Sequence, residues 1–261
     1  MDLGIKGKVA LVTASSSGLG AAIATVLAEE GAAVAITGTN AEKLAATATA
    51  IRAKGGTVIS LVWDLGDLAL IEPMIAKVEA ELGPIDILVN NTGGPPASPA
   101  SGQPQDVWLK HFNAMVLSVI AITDRVLPGM RARQWGRVIT STSMGVVVPI
   151  PNLGMSNTLR ASLVGWSKTL SREVAKEGIT VNVMAPGRIL TDRTRALDAG
   201  AAKREGKSVE EISAASAAQI PMGRYGDVRE FADVAAFLAS ARASYVTGSV
   251  IRVDGGVIPN V

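Results

Sequence analysis

Short β-branched runs alternate with Ala-rich stretches of helical spacing from Val9 to Val183, and no other feature of this 261-residue sequence restricts its fold as strongly. The alternation is typical of βαβ units, whose strands lie parallel in one sheet. The runs at residues 8–13 and 85–90 are almost wholly apolar, which indicates helices on both faces of the sheet. We therefore predict a single α/β domain over residues 1–261, built on a doubly wound, seven-stranded parallel sheet. The predicted strands are residues 8–13, 33–37, 58–63, 85–90, 136–141, 180–184 and 249–253.

The segment from residue 190 to 221 interrupts this alternation. It is rich in Ala, Ser and charged residues, and it has helical spacing without a β signal. Open α/β sheets bind ligands at the carboxyl ends of their strands, and this segment follows the sixth predicted strand. We interpret it as a substrate lid, although an ordinary pair of surface helices would show the same pattern.

Composition argues against several classes of function. The chain has 25 basic and 23 acidic residues, so its net charge of +2 provides little attraction to nucleic acid. Aromatic residues make up 3% of the chain, too few for base-stacking platforms. The absence of Cys fits a reducing cytoplasm, and the first eight residues contain no long apolar run. We expect a cytoplasmic protein that binds no nucleic acid, membrane or metal.

The first predicted strand leads into a Gly-rich turn, Thr-Ala-Ser-Ser-Ser-Gly-Leu-Gly over residues 13–20, and then into an Ala-rich helix. Glycines allow a ligand to approach the backbone, and the helix N-terminus offers N–H donors and positive dipole charge to a diphosphate. Gly-rich turns are common in loops, but this position in the first βαβ unit favours a dinucleotide site. The predicted cofactor-binding residues of the turn are Thr13, Ser15, Ser16, Ser17, Gly18, Leu19 and Gly20.

This turn resembles the TGxxxGxG motif of the short-chain dehydrogenase/reductase family, with Ala14 at the first glycine. Each further motif alone suits an ordinary turn or strand end, but together they follow the family order along nearly the whole chain. These motifs are Asp64 after the third strand, Asn-Asn-Thr-Gly at 90–93, Pro-Gly at 186–187, Thr191, Tyr-Val-Thr-Gly at 245–248 and Val-Asp-Gly-Gly at 253–256.

The resemblance, which extends to members of the 3-oxoacyl-acyl-carrier-protein reductase kind, implies a Rossmann-type fold, an NAD(P) cofactor and a homotetramer or dimer. Residues 159–170 are apolar around more than one helix face, which is compatible with an interface. By the family motifs, Asp64 would lie beside the adenine and Thr191 beside the nicotinamide carboxamide, while Asn90 would mainly brace the sheet. The other implied cofactor-binding residues are Leu65, Asn91, Thr92, Gly93, Pro186, Gly187 and Ile189.

The choice between NAD and NADP is usually made just after the second strand. An acidic residue there binds the ribose 2′-hydroxyl, whereas a basic residue pairs with a 2′-phosphate. This chain has Gly38, Thr39 and Asn40 at that point, and Ser17 where many NADP-dependent relatives carry a basic residue. Because hydroxyl and amide groups can bind a phosphate and no carboxylate repels it, we favour NADP slightly over NAD.

The family's catalytic group comprises an Asn, a Ser, a Tyr thirteen residues after the Ser, and a Lys four residues further. Asn113 matches the Asn, and Ser143 matches the Ser, with Ser141 as an alternative register. The spacing then reaches Ser156 and Arg160 instead of Tyr and Lys. Residues four apart share a helix face, so both side chains are predicted to point into the site.

These replacements change the proton chemistry of the site. A Ser hydroxyl is a far weaker acid than a Tyr phenol, whose pKa is about 10, and Arg cannot relay a proton as Lys can. Tyr225 and Tyr245 lie far along the chain in segments without a catalytic counterpart. His111 lies two residues from Asn113 and so off its helix face, which favours a surface or packing role.

Three functions therefore remain open. The first is an NAD(P)-dependent oxidoreductase for a small carbonyl or secondary alcohol, because a general acid contributes only about 10² to 10⁴ in rate and slow hydride transfer could persist. The second is a dinucleotide-binding sensor or partner subunit, and the third is a non-redox enzyme in which Arg160 stabilises an oxyanion. A substrate carboxylate could dock on Arg160 and Arg188, although the mainly apolar pocket candidates disfavour a highly charged ligand.

Overall fold

The computed structural model describes residues 2–260 and contains the seven-stranded parallel sheet that the sequence predicts. The strand order is β3-β2-β1-β4-β5-β6-β7, so the winding direction reverses between β1 and β4 and opens a crevice there. Every predicted strand is confirmed, with ends within two residues of the prediction. The strands are β1 Val9–Val12, β2 Ala33–Gly38, β3 Val58–Val62, β4 Ile87–Asn90, β5 Gly136–Ser141, β6 Ile179–Pro186 and β7 Val250–Val253.

Nine α-helices within residues 2–260 surround this sheet. The first, second and ninth helices cover one face, and the third, fifth and sixth cover the other. The helices are α1 Gly18–Glu29, α2 Ala41–Ala53, α3 Ile71–Leu82, α4 Gln105–Phe112, α5 Ser118–Ala132, α6 Gly154–Val174, α7 Asp192–Glu205, α8 Val209–Ala218 and α9 Val228–Ala239.

Two apolar clusters, one on each face of the sheet, form the core. Ala10 and Val12 face the cluster under α1 and α9, while Val9 and Leu11 face the cluster under α3 and α5. Successive side chains of a strand point to opposite faces, so burial of both faces requires every residue of β1 to be apolar. This double burial fixes the end of β1 and therefore the position of the Gly-rich turn that follows it.

A helical run from Gln105 to Ala132 comprises α4, a π-helical turn at Asn113–Leu117, and α5. By length and composition alone it is the one described helix that could cross a membrane, and 44% of its most apolar window is buried within the fold. Met115, Val119 and Ile122 are each at most 2% exposed and belong to the apolar clusters against α3 and α6. Its apolar character therefore matches that of a core helix.

The predicted lid segment folds as α7 and α8. It lies beyond the carboxyl ends of the strands, and Leu197, Ser216 and Ile220 from this region line a cleft there. The structure thus places the segment above the strand ends, as expected. Its role as a lid stays a prediction.

Candidate active site

The Gly-rich turn brings backbone N–H groups to the crevice between β1 and β4. Ser17 is the N-cap residue of α1, yet its side chain makes no capping hydrogen bond, and the first helical turn carries no acidic side chain. The first N–H groups of a helix have no acceptor within the helix, so they and the positive dipole charge are available to an anion. Gly18 adopts φ +58°, a left-handed conformation that glycine tolerates without strain.

Gly20 allows the turn to pack closely against the end of β4. A Cβ at this position would lie 2.6 Å from the Ala14 carbonyl oxygen and 2.9 Å from Nδ2 of Asn91. The same Nδ2 donates a hydrogen bond to the Ala14 carbonyl at 3.0 Å. Asn91 therefore locks the turn to the neighbouring strand, and any side chain at position 20 would break that contact.

Thr13 and Ser15 are used within the fold. Thr13 Oγ1 donates to the Asn91 carbonyl at 2.7 Å, while Ser15 Oγ donates to the Val12 carbonyl at 2.6 Å and accepts from the Thr37 N–H at 2.9 Å. Both residues are at most 1% exposed. Their hydroxyls are bonded within the fold and lie outside the cleft lining, so the two residues shape the turn.

The residues predicted to contact the adenosine half of a cofactor lie at the ends of β2 and β3. Gly38 ends β2, and the exposed Thr39 and Asn40 follow it. Asn40 Oδ1 caps α2 by accepting a backbone N–H at 2.8 Å, which leaves its amide NH₂ free to donate. Asp64 Oδ1 accepts the N–H two residues on at 2.8 Å, beside the half-buried Leu65.

A cleft of about 580 Å³ runs from the N-terminus of α1 to the segment of α7 and α8. The predicted site residues that line it are Ser17, Gly18, Leu19, Asn91, Thr92, Gly93, Ser143, Ser156, Arg160, Pro186, Gly187, Ile189 and Thr191. The predicted site residues outside its lining are Thr13, Ser15, Ser16, Gly20, Gly38, Thr39, Asn40, Asp64, Leu65 and Asn113.

Ser156 and Arg160 lie one turn apart on the buried side of α6, and both face the cleft, as their spacing predicts. Each is 8% exposed. The Arg160 guanidinium donates to the carbonyl oxygens of Gly93 and Ser141 at 3.1 and 3.2 Å, which ties α6 to the ends of β4 and β5. Burial and the charge of Arg193 lower the pKa of Arg160 to about 10, so it remains positively charged at neutral pH.

Ser143 follows β5 and caps a short turn. Its Oγ accepts the Gly145 N–H at 3.0 Å, so the hydroxyl proton is left to donate into the cleft. Ser141 is 4% exposed within β5, and its carbonyl binds Arg160. The geometry therefore favours Ser143 over Ser141 as the serine of the candidate site.

Asn113 is the first residue of the π-helical turn between α4 and α5. It is half-buried, and the turn packs against α6. A π turn inserts a residue into the helix and often marks a functional position. The structure nevertheless places Asn113 outside the lining of the cleft that contains Ser143 and Ser156.

Arg188 is paired within the protein. Its Nη1 lies 2.5 Å from Oδ1 of Asp198 on α7, and the Tyr225 hydroxyl donates to Oδ2 of the same carboxylate at 2.9 Å. Asp198 is 2% exposed. The expectation that Arg188 could dock a substrate carboxylate is therefore not supported, because a buried internal carboxylate already occupies it. No spacing rule in the sequence points to Asp198, which lies ten residues after its partner.

Arg193 is a further cleft residue that the sequence pattern does not indicate. It lies in the first turn of α7, and its Nη2 donates to the Pro95 carbonyl at 2.6 Å, so it bridges the cleft from α7 to the loop after β4. Burial lowers the pKa of Arg193. The two partners are 98 residues apart in sequence, a separation at which one sequence carries no contact signal.

Burial and the charge of Lys110 lower the pKa of His111, which keeps its imidazole neutral at pH 7, and the residue lies on α4 outside the cleft lining. Within residues 2–260, no group of three or more His, Asp or Glu side chains could hold a metal ion.

The crevice fits a dinucleotide. The uncapped N–H groups of α1 face an opening that a side chain at Gly18 would narrow, and the cleft continues from there past Asn91 to Thr191. This combination of sheet order, Gly-rich turn and cleft at the topological switch point defines the class of dinucleotide-binding α/β proteins.

Comparison with known proteins gives the family. The Enoyl-(Acyl carrier protein) reductase family profile matches residues 13–258. The chain is 39% identical to 3-oxoacyl-(acyl-carrier-protein) reductase FabG of Escherichia coli (strain K12) over 257 residues, which are 98% of this chain and 99% of that protein. We conclude that the chain belongs to the short-chain dehydrogenase/reductase family.

Solved structures agree with this assignment. L-sorbose reductase from Gluconobacter frateurii was crystallised with NADPH and L-sorbose. It aligns with this chain at a TM-score of 0.94 and 33% sequence identity, with 100% of both chains covered. Actinorhodin polyketide ketoreductase, a variant crystallised with NADPH, has a TM-score of 0.92 and 31% identity, with 96% of this chain and 97% of that chain covered.

Proposed function

We propose that this chain is an NADP(H)-dependent short-chain oxidoreductase that interconverts a carbonyl and a secondary alcohol through an altered proton path. The observation that carries the proposal is that Ser143, Ser156 and Arg160 line the same cleft as the Gly-rich turn. Homologues over the full chain support it, because one is a 3-oxoacyl reductase and two others were crystallised with NADPH. We place the enzyme in the cytoplasm as a homotetramer or dimer.

A bound nicotinamide would supply or accept the hydride. The Ser143 hydroxyl would donate a hydrogen bond to the substrate oxygen, because the Gly145 N–H already occupies one of its lone pairs. Arg160 would stabilise negative charge developing on that oxygen but would not release a proton at neutral pH. Since the Ser156 hydroxyl is a weak acid, water or a substrate group would supply the proton.

Hydride transfer is tested by following absorbance at 340 nm with NADPH against a panel of ketones and aldehydes. We expect slow turnover, about 10² to 10⁴ below that of an enzyme with a Tyr general acid. The double variant Ser156→Tyr and Arg160→Lys should increase the rate on a simple ketone by at least about tenfold. Failure of the folded wild-type protein to bind either NADPH or NADH would overturn the proposal.

Cofactor preference is tested separately by calorimetry with NADPH and NADH. We expect tighter binding of NADPH, because Thr39 and the free amide NH₂ of Asn40 could bind a 2′-phosphate and no carboxylate is adjacent in sequence to repel it. Clearly tighter NADH binding would reverse the assignment. A Thr39→Asp variant offers a direct contrast, because the new carboxylate should shift the preference toward NADH.

The second candidate function is a dinucleotide-binding sensor or partner subunit. It is favoured by one observation: Arg160 donates to three backbone carbonyls, including that of Thr92 at 3.4 Å, so much of its donor capacity is used in holding the sheet ends together. Tight NADPH binding without turnover on the whole panel would favour this function over the oxidoreductase.

A further inference from the structure

We propose that Arg160 and Arg193 form a subsite for the carboxylate of a monoanionic carbonyl substrate, such as a short 3-oxo acid. The inference rests on the proposed function and deepens it by naming a substrate class. Sequence analysis suggested Arg188 as the second arginine of such a site. We assign that role to Arg193 because Arg188 is paired with Asp198.

Two guanidinium groups from different helices converge at Gly94. A Cβ on Gly94 would lie 3.4 Å from Nη2 of Arg193 and 3.6 Å from Nη2 of Arg160. Gly94 is exposed and lines the cleft, so the space between the two groups is open to a ligand. An oxyanion at this point could accept a hydrogen bond from Arg193 and would lie beside the positive charge of Arg160, whose Nη2 hydrogens are donated to Thr92 and Gly93.

Neither arginine has a carboxylate partner within 4.0 Å among residues 2–260. Their neighbours differ in this respect, because Arg188 pairs with Asp198 and Arg195 pairs with Asp192. Two like charges in a partly buried cleft repel each other, and a bound anion would remove that repulsion. The charge of Arg193 contributes to the lowered pKa of Arg160, which agrees with this unbalanced arrangement.

Arg193 keeps most of its donors for a ligand, while Arg160 contributes mainly its charge. A guanidinium has five N–H donors, and Arg193 uses one of them in its bond to Pro95. Arg160 makes three hydrogen bonds to backbone carbonyls, which leaves it fewer free donors but holds its plane in place. The pair therefore combines a fixed guanidinium with a more exposed one, a pattern suited to charge-assisted binding of one carboxylate.

Part of the cleft lining is apolar and disfavours a second negative charge on the substrate. Val148, Ile150 and Leu153 line the same cleft as Ser156 and form an apolar wall. A carboxylate at Gly94 would leave the remaining carbons of a small substrate to face this wall, with its carbonyl toward Ser143. A second negative charge on that part of the ligand would have to be buried against apolar side chains at high cost.

The test measures binding without turnover. Acetoacetate and its neutral ethyl ester are titrated by saturation-transfer NMR into the full chain, both cofactor-free and saturated with the oxidised cofactor that binds more tightly. Arg193→Gln should weaken acetoacetate binding about tenfold and ester binding less than twofold, because only the acid forms the charge-assisted contact. Arg195→Gln is the matched control, since it removes one positive charge from the same helix outside the cleft lining.

A second pair of variants adds either a carboxylate or a neutral amide of similar size at position 94. Gly94→Asp would position a carboxylate between the two guanidiniums and should abolish measurable acetoacetate binding. Gly94→Asn adds nearly the same volume without charge and should retain it within a few-fold. A Cβ added at this position would meet only ordinary van der Waals contacts, so both variants are expected to fold, which a thermal melt verifies.

Three outcomes would overturn the subsite. They are equal acetoacetate affinity in the wild type and Arg193→Gln, equal weakening of the acid and the ester, or equal effects of Gly94→Asp and Gly94→Asn. If Arg193→Gln instead weakens NADP⁺ about tenfold and leaves acetoacetate unchanged, the anion bound there is the cofactor diphosphate and the proposal is wrong. Acetoacetate binding that depends on Arg193 without any turnover would confirm the subsite and contradict only the oxidoreductase activity.

Discussion

At the scale of single residues, Ala14 is the clearest example of local strain in the site. It adopts φ +44° at the position where the family motif has its first glycine. The left-handed conformation costs an L-residue about 1–2 kcal/mol, and glycine avoids most of that cost. We expect Ala14→Gly to raise the free energy of unfolding by about 1 kcal/mol in urea denaturation. A loss of stability would show that the methyl group of Ala14 makes a packing contribution larger than the strain.

The charge on Arg160 leads to a prediction about pH. Its pKa is lowered to about 10, so the guanidinium stays protonated through the neutral range and loses its charge only as the pH rises through that value. Acetoacetate affinity should therefore be constant from pH 6 to 9 and fall above it. NMR titration at three pH values within this range and at one value above pH 10 checks both parts of the prediction. A transition near pH 7 would indicate that a different group controls binding.

At the scale of elements, α9 begins with a capping box. Asp227 accepts the Arg229 N–H at 2.7 Å, and Glu230 accepts the Asp227 N–H at 2.7 Å and pairs with Arg224. Asp227→Ala should lower the free energy of unfolding by about 1 kcal/mol. Arg224 and the Asp227 N–H lower the pKa of Glu230 to about 2.

The direction of this pKa shift determines how the stability of the fold changes at acid pH. A carboxyl with a lowered pKa in the folded state stabilises the fold above its unfolded pKa, near 4.5, and that contribution is lost as the pH falls toward 2. Glu230→Gln should therefore flatten part of the decline in stability between pH 4.5 and 2. Urea denaturation at several pH values measures the slope. An unchanged slope would show that the ion pair is screened by solvent at this exposed position.

Asp198 on α7 binds Arg188 after β6 and Tyr225 after α8, so it holds these segments together. Asp198→Asn would leave Arg188 without its charge partner, and Tyr225→Phe would remove one hydrogen bond to the same carboxylate. We expect Asp198→Asn to destabilise the fold by about 1–3 kcal/mol and Tyr225→Phe by about 1 kcal/mol. Hydrogen exchange should accelerate in residues 192–218 before the rest of the chain. Uniform acceleration would show that this segment does not open independently.

The elements were predictable from the sequence because their signals are local. An apolar run such as β1, with both faces buried, has few alternatives to a strand, and the order of strands, Gly-rich turn and helix located the crevice. The contacts that give the site its charge pattern join distant residues. Arg193 reaches Pro95 and Arg188 reaches Asp198 only after folding, so periodicity could not reveal that one arginine is paired and the other is not.

At the scale of the whole molecule, the outer face of α6 offers a test of assembly. Its inner face supplies Ser156 and Arg160 to the cleft, while Ala161, Gly165 and Thr169, spaced four apart, are exposed on the single chain. Family resemblance predicts that such a face is covered in a homotetramer or dimer. Small side chains there would allow a second helix to approach closely.

Gly165→Arg separates assembly from folding. A Cβ on Gly165 would meet no atom within 4 Å in the single chain, so the arginine side chain would extend into solvent without disturbing the protomer. Replacing a mid-helix glycine should even favour α6 slightly. If α6 packs against a partner subunit, the bulk and charge of the introduced guanidinium would block that contact, and the variant should sediment as a smaller species with unchanged circular dichroism.

Analytical ultracentrifugation of the wild type first tests whether the protein is an oligomer, because a monomeric wild type would refute that prediction. An oligomeric wild type whose sedimentation is unaffected by Gly165→Arg would place the interface on another face of the protein.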